Sequence, residues 1–313
     1  MTLKVVLFTA NYDTGGQGYR IKRALDRYAP DVSARSIHTT DSYFQYPYDL
    51  RYSPGIATKL LEEADVLHFR NAFSGLKRFG HGQPLILHHH GSRFREYHQQ
   101  IAAEAEEKGA FQLASTLDLT LLEPNVTWLP APVSLEEFDT FRVKEHDRSP
   151  SQTIRIAHAP TNRAVKSTLL ILEAVQTLAN IGLPVTLDLI ERRPWVECLR
   201  RKAKADIYVD QLELGYGNNA VEAWALGIPV IAGVVNHKAR EAMIDHWGQL
   251  PFYEASAGNL VQCLIDLIES KSLRAYWANV GLSHLVRYHD ERLVANQLAT
   301  IYRIAVASEG RVL

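Results

Sequence analysis

Residues 205–233 read ADIYVDQLELGYGNNAVEAWALGIPVIAG and run strand, turn, helix, strand. Ile207, Tyr208 and Val209 make a short apolar run suited to the inside of a sheet. Asp210 ends it at the edge where open α/β sheets hold their ligands. Gly215 and Gly217, with Tyr216 between them, permit tight backbone turns. Asn218 or Asn219 then starts a helix expected from about Ala220. The first N–H groups of that helix, with its partial positive charge, suit a diphosphate. Glu222 falls in the first turn, where a carboxylate can accept hydrogen bonds from a sugar ring. Gly227 and Pro229 stop the helix and pass the chain to a second apolar strand, Val230–Ala232.

Outward from this stretch the same alternation continues. Upstream of it lie a strand at Ile154–His158, an amphipathic helix at Thr168–Asn180, a strand at Val185–Ile190 and a helix at Trp195–Lys202. Downstream, helices are expected at Leu260–Ser270 and Gln297–Ala307. The N-terminal half opens on a buried strand, Leu3–Thr9, which ends in Asn11-Tyr12-Asp13-Thr14-Gly15-Gly16-Gln17-Gly18. A helix from Tyr19 to about Tyr28 and a strand at Val32–Ile37 follow. Next come a helix at Ile56–Glu63, strands at Ala64–Phe69 and Pro84–His88, a helix at Gln99–Lys108, and short strands at Thr116–Thr120 and Val126–Leu129. Strands alternating with helices mean doubly wound parallel sheets. The charged, polar run Lys144–Ser151 reads as a linker between two such series.

The bulk properties narrow the function classes. A chain of 313 residues exceeds one ordinary core and predicts two domains. With 46% hydrophobic and 22% charged residues it is globular, and a net charge of −1 gives no whole-molecule case for nucleic acid or an anionic membrane. Cys198 and Cys263 are far apart and in no metal-ligand spacing, so both are expected as free thiols in a reducing cytoplasm. The apolar run Val5–Ala10 is too short for a signal peptide or a membrane span.

Several clusters carry chemistry. Glycines 15, 16 and 18 at the end of the first strand let backbone approach a ligand, and the spacing is not that of the dinucleotide fingerprint. In His88-His89-His90-Gly91, strand alternation puts His88 and His90 on one side and His89 on the other. No neighbouring Asp, Glu or Cys completes a metal set. Arg163 and Lys166, after the strand that ends at His158, can neutralise charge developing on a departing phosphate. Between Val66 and Phe94 there is no acidic residue, while Arg70, Lys77, Arg78 and Arg93 occur. Together with Tyr43, Tyr46 and the rest of the aromatic loop 43–52, these arginines suggest an acceptor surface for a sugar or an anionic group.

Taken in order, Gly15-Gly16, Ala64–His68, His90-Gly91, Leu129–Val133, His158-Ala159-Pro160 and the Glu222 segment resemble GT-B glycosyltransferases. The resemblance is to the large retaining group like glycosyltransferase family 4, and it spans almost the whole chain. That family's signature is a Glu, a small Gly-containing loop, and a second Glu eight positions on, followed by Ala-x-Ala-x-Gly-x-Pro-Val. Residues Glu222–Val230 fit its second half. Leu214 stands where the first Glu is expected, with Glu213 one position early. The first carboxylate is therefore lost, or supplied by Glu213 or Asp210 through a loop shift.

The resemblance implies two Rossmann-like, doubly wound α/β domains facing across a cleft. These would be an acceptor-binding domain at 1–145, a nucleotide-sugar-binding domain at 146–285, and a C-terminal helix, 286–313, crossing back onto the first. It places Gly15, Gly16, Gln17, Tyr216, Gly217, Asn218 and Asn219 at the donor, His90 on the transferred sugar, and Glu222 on the ribose hydroxyls. Arg163 and Lys166 would meet the diphosphate. The implied reaction retains anomeric configuration and needs no metal or cofactor, with a UDP- or GDP-sugar as donor. The acceptor is left open among a glycan, a protein, a lipid-linked sugar and nucleic acid. Two other readings stay open: a nucleotide-sugar epimerase or hydrolase, and, because of Leu214, a non-catalytic nucleotide-sugar binder.

Overall fold

The computed structural model describes residues 2–9, 13, 15–73, 82–143 and 153–308. The chain divides into two compact units: Met1–Pro132 with Tyr288–Leu313, and Val133–Arg287. The boundaries expected at 145/146 and 285/286 fall at 132/133 and 287/288. Packing explains the first shift. Phe138 meets Trp195 edge to face at 6.3 Å, and Arg142 Nε donates to the Ala225 carbonyl at 2.7 Å, so the segment ahead of the polar run already belongs to the second unit. The expected linker Lys144–Ser151 lies outside the described residues, as do Asn11, Tyr12, Thr14, Lys77 and Arg78.

The first unit contains β1 (Leu3–Thr9), α1 (Gln17–Tyr28), β2 (Val32–His38), β3 (Leu50–Arg51) and α2 (Pro54–Glu62). It continues with β4 (Val66–Arg70), β5 (Leu85–His89), α3 (Ser92–Glu107), β6 (Phe111–Ala114) and β7 (Val126–Trp128). All strands pair in parallel, in the order β3-β2-β1-β4-β5-β6-β7. Alternation along β1 sends Leu3, Val5 and Leu7 to one face and Val6 and Phe8 to the other. Ile21 and Leu25 of α1 cover the first face; Leu61 of α2 and Phe94 and Ile101 of α3 cover the second. A sheet covered on both faces needs apolar residues at consecutive positions, which is why Val5–Phe8 of β1 is an unbroken apolar run. The strand expected at Thr116–Thr120 is a 3₁₀ turn, Leu117–Leu121. Leu117 and Leu119 are both buried, which mimics strand alternation, but Asp118 between them pairs with Arg95 of α3 at 2.7 Å.

The second unit contains α4 (Leu135–Asp139), β8 (Ile154–His158), α5 (Thr168–Asn180), β9 (Val185–Leu189), α6 (Trp195–Lys202) and β10 (Ile207–Val209). After these come α7 (Asn218–Ala225), β11 (Val230–Ala232), α8 (His237–Trp247), β12 (Tyr253–Glu254), α9 (Leu260–Glu269) and α10 (Lys271–His284). Its parallel sheet runs β12-β11-β10-β8-β9. Ile156, Ile207, Val209 and Ile231 pack under Ile171 and Leu178 of α5 and Leu260 and Leu264 of α9. The helices α8 and α10 and the strand β12 have no counterpart in the sequence reading.

A π-helical turn, Leu285–His289, leads into the last helix, α11 (Glu291–Ser308), which belongs to the first unit. Val294, Leu298 and Tyr302 join the core beneath β1, and the Tyr302 hydroxyl lies 2.7 Å from His68 Nδ1. Glu291 accepts from Arg23 at 2.7 Å, and Asp31 accepts from Arg303 at 2.7 Å. Among the described residues no helix is long and apolar enough to cross a membrane. Cys198 and Cys263 are free thiols.

Candidate functional site

In the second unit the strands deliver their C-terminal ends to a compact charged cluster. Asp210 follows β10 directly and is fully buried. Its Oδ1 accepts from Lys166 Nζ at 2.7 Å, and its Oδ2 accepts from the Gly217 amide at 2.6 Å, the residue that caps α7. A Cβ at Gly217 would lie 3.1 Å from Lys166 Nζ and 3.4 Å from Asp210 Oδ2, pressing on the ion pair. Lys166 precedes Ser167, whose left-handed backbone (φ 52) turns the chain into α5. The turn thus brings Lys166, Asp210 and the Gly-Tyr-Gly loop together, with Lys166 retaining partial exposure (12%). Arg163 is set apart. It forms a two-pronged ion pair with Glu191 and is 59% exposed.

Other expected donor residues have different duties. Glu222 is 2% exposed, and both its oxygens are engaged: Oε1 accepts from Trp195 Nε1 at 2.9 Å and Oε2 from Lys202 Nζ at 2.6 Å. Both oxygens of the carboxylate expected to face a sugar are thus bonded within the protein. A carboxylate in the first turn of a helix can point inward as well as outward, and here the buried ammonium of Lys202 draws it in. Lys202 also donates to Asn219 Oδ1 at 2.9 Å and lies 5.0 Å from the centre of the Tyr208 ring. Asn219 Nδ2 donates to the Ala159 carbonyl at 2.8 Å, so this side chain ties α7 to the end of β8. Tyr216 is buried too, its ring against Trp224, Trp247 and Phe252 and its hydroxyl 2.9 Å from His284 Nε2. Asn218, at the first position of α7, is partly exposed, and Glu213 is exposed.

Lys202 is the residue that sequence reasoning passed over. It closes a basic triplet, Arg200-Arg201-Lys202, which reads as a solvated helix end. Its register gives it away: Trp195, Leu199 and Lys202 share one buried face of α6.

The first unit holds a second buried ion pair. Asp13 Oδ1 accepts from Arg70 Nη1 at 2.7 Å and from the Gln17 amide at 2.9 Å, while Oδ2 accepts from the Gly18 amide at 2.7 Å. Both side chains are 3% exposed. Burial raises the Asp13 pKa, but the charges of Arg70 and His38 and the hydrogen bonds from Arg70 and Gly18 outweigh it, leaving the carboxyl below 3.8. Asp13 thus occupies the N-terminus of α1, beside the glycine loop expected at the donor. Arg70 is correspondingly not the exposed anion binder suggested by the run of basic residues; its charge is committed to Asp13. Arg93 is exposed on α3. Gly15 is partly exposed and Gln17 buried. Gly16 adopts a left-handed backbone (φ 66), and a Cβ on it would run into the Tyr46 ring.

Beside this pair stand stacked histidines. The rings of His68 and His88 are 5.4 Å apart, and those of His88 and His90 are 4.4 Å apart, with His88 and His90 on one side of the strand end. Burial first, then the neighbouring histidines and last Arg70, push the pKa of His88 well below 6.5. Burial likewise lowers His90 far below that value, with Arg70 the next cause. Both are neutral imidazoles at pH 7. His90 is partly exposed as a residue, but both its ring nitrogens are buried and have no hydrogen-bonding partner among the described residues. His89 points the other way, stacks on Phe94 at 3.7 Å and bonds Gln112 at 3.0 Å. Among the described residues no group of three or more His, Cys, Asp or Glu side chains is placed to hold a metal ion. A cavity of about 350 Å³ opens between Asp13, His38 and the aromatic loop, with Tyr46 and Tyr48 in its wall. Tyr43 is outside that wall, 40% exposed and stacked near Phe44.

No family model matches the chain, and no curated protein matches it. Solved structures do. An alpha-glucosyltransferase in complex with UDP and a mismatched 13-mer DNA aligns with a TM-score of 0.68 at 10% identity, covering 96% of this chain and 100% of that one. Anabaena HepE in complex with UDP-glucose aligns at 0.68 with 14% identity, covering 96% of this chain and 99% of the other. A glycosyltransferase from Rickettsia africae aligns at 0.66 with 13% identity, covering 97% and 99%. The fold of this chain is that of GT-B glycosyltransferases.

Proposed function

We propose that this protein is a glycosyltransferase that moves a sugar from a nucleotide-sugar donor, such as UDP-glucose, to a hydroxyl acceptor. One observation carries the reading beyond the fold. Lys166 is held by Asp210 against the glycine loop that caps α7, at the C-terminal edge of the second sheet. A diphosphate at that helix N-terminus meets a pre-placed ammonium, which stabilises charge as the phosphate departs. The full-length likeness to structures holding UDP or UDP-glucose supports the same class of donor.

In this reading the second unit binds the donor through Lys166, Gly217 and Asn218, while the buried Lys202–Glu222–Asn219 network fixes the loop and helix that present them. Glu222 is a positioning residue. The first unit binds the acceptor, and the neutral His90 can hydrogen-bond a sugar hydroxyl. The transfer retains configuration and uses no metal, the departing phosphate taking the acceptor's proton. Leu214 in place of a carboxylate supports a second reading, a binder of nucleotide sugars without turnover.

Incubation with UDP-, GDP-, ADP- and TDP-sugars, with and without EDTA, separates these. Slow donor hydrolysis that survives chelation is expected for one of them. Loss in EDTA with recovery in Mn²⁺ or Mg²⁺ would overturn the metal-free mechanism. Tight binding with no turnover in the presence of acceptor sugars would favour the non-catalytic binder.

A further inference from the structure

The cavity in the first unit has a composition that specifies its ligand. Its volume, about 350 Å³, is in the range of small-molecule sites, roughly 300–1,000 Å³. Among the described residues no Lys or Arg lines it, whereas Asp13 and Asp41 do. Of the arginines paired with its carboxylates, Arg70 is buried against Asp13 at 2.7 Å, and Arg51, 62% exposed, meets Asp41 from the solvent side at 3.0 Å. A phosphate or carboxylate entering here would meet two carboxylates and no uncommitted positive charge among the lining residues.

The remaining groups suit hydroxyls. His38 is neutral, its pKa pushed down to about 4 by burial and then by Arg70. Arg70 Nη2 lies 3.5 Å from His38 Nε2, and a guanidinium can only donate. The bare nitrogen is therefore Nε2, and the proton sits on Nδ1, a donor. Ser42 and Thr40 add hydroxyls that donate or accept, and Asp41 adds an acceptor. Tyr48 stacks on His38 at 4.9 Å, is 37% exposed, and donates to Asp41. With Tyr46 it supplies aromatic surface for the apolar face of a sugar ring.

We propose that this cavity is the acceptor subsite and that it selects an uncharged carbohydrate, excluding sugar phosphates, uronic acids and nucleic acid. The assignment rests on the glycosyltransferase reading above, but its test is independent of catalysis. Saturation-transfer NMR on the full chain with saturating UDP would compare methyl β-D-glucopyranoside with glucose 6-phosphate, glucuronic acid and a 13-mer DNA duplex. Calorimetry with UDP alone would run in parallel.

The neutral glycoside is expected to bind at least about fivefold more tightly than either acidic sugar, on the scale of one lost hydrogen bond or a repelled charge. Tyr48→Ala should weaken the glycoside by a similar factor, and Asp41→Lys should close or reverse the preference. UDP affinity should be unchanged in both variants, and thermal melts would check that they fold. Equal or tighter binding of the anionic probes would overturn the inference. So would a preference untouched by both substitutions, or no sugar binding at tens of millimolar. Failure of UDP to bind, with the sugar preferences as expected, would break the donor reading and leave the carbohydrate site standing.

Discussion

Asp13 and Asp210 hold corresponding places in the two units. Each lies in the loop region beyond a central strand, accepts from backbone amides at the start of the following helix, and is countered by one basic side chain. Their settings differ. Asp13 grips the amides of Gln17 and Gly18 and pairs with a planar guanidinium, all sealed from water. Asp210 takes one glycine amide and pairs with a lysine that keeps partial exposure. A guanidinium locked against a carboxylate is expensive to release, whereas a flexible ammonium at a surface can be shared with an incoming phosphate. The first pair is architecture. On the proposed function, the second is the one that would change partners when a donor binds.

The largest effect is expected where a buried pair is broken. Asp13→Ala would leave Arg70 buried and the amides of Gln17, Gly18 and Tyr19 without this acceptor, and is expected to cost on the order of 3–5 kcal/mol. Glu222→Ala, which strands Lys202, belongs in the same class. Urea unfolding of both variants measures this, and a loss below about 1 kcal/mol for Asp13→Ala would dissolve the contrast between the two pairs.

Acid should act unevenly on the two units. Burial chiefly lowers His68 to about 3, and His38, His89 and His289 to about 4, all in the first unit; His158, at about 4, is in the second. Between the ordinary value of 6.5 and these depressed values the unfolded chain binds more protons than the folded one. Stability therefore rises with pH across that window and is lost as the pH falls through it, by about 1.4 kcal/mol per unit of depression for each group. Hydrogen exchange at pH 6.5 and 4.5 should show β1, β4 and β5 losing protection before β8, β10 and β11. Equal loss in both units would show that the histidine stack carries no special weight.

Lys166→Ala is expected to weaken UDP binding by about 1.5–3 kcal/mol, the scale of a charge-assisted hydrogen bond. Calorimetry decides it, and unchanged affinity would remove Lys166 from the site. The smallest effect is expected at Glu213, which is exposed. Glu213→Gln should change stability and UDP affinity by less than about 0.5 kcal/mol. A loss as large as that from Lys166→Ala would identify Glu213 as the displaced family carboxylate.

The alternation of apolar runs with amphipathic helices located most of the sheet by sequence alone, including β1, β8, β10 and β11 at their observed limits. Parallel strands buried on both faces need continuous apolar runs, and such runs are visible without a structure. The short edge strands β3 and β12 were not visible, because two residues carry no period. The sequence also marked Gly217, Lys166 and Asp210 one by one, since turn chemistry and strand ends are local properties, but their meeting at one site was decided by the fold. Which carboxylate pairs with which cation was decided only in three dimensions. Glu222 and Lys202 are 20 positions apart and Asp13 and Arg70 lie on different strand–helix units, so no local pattern joins them. The desolvation cost of a buried charge depends on what the folded chain sets beside it, and that is a property of packing rather than of order along the chain.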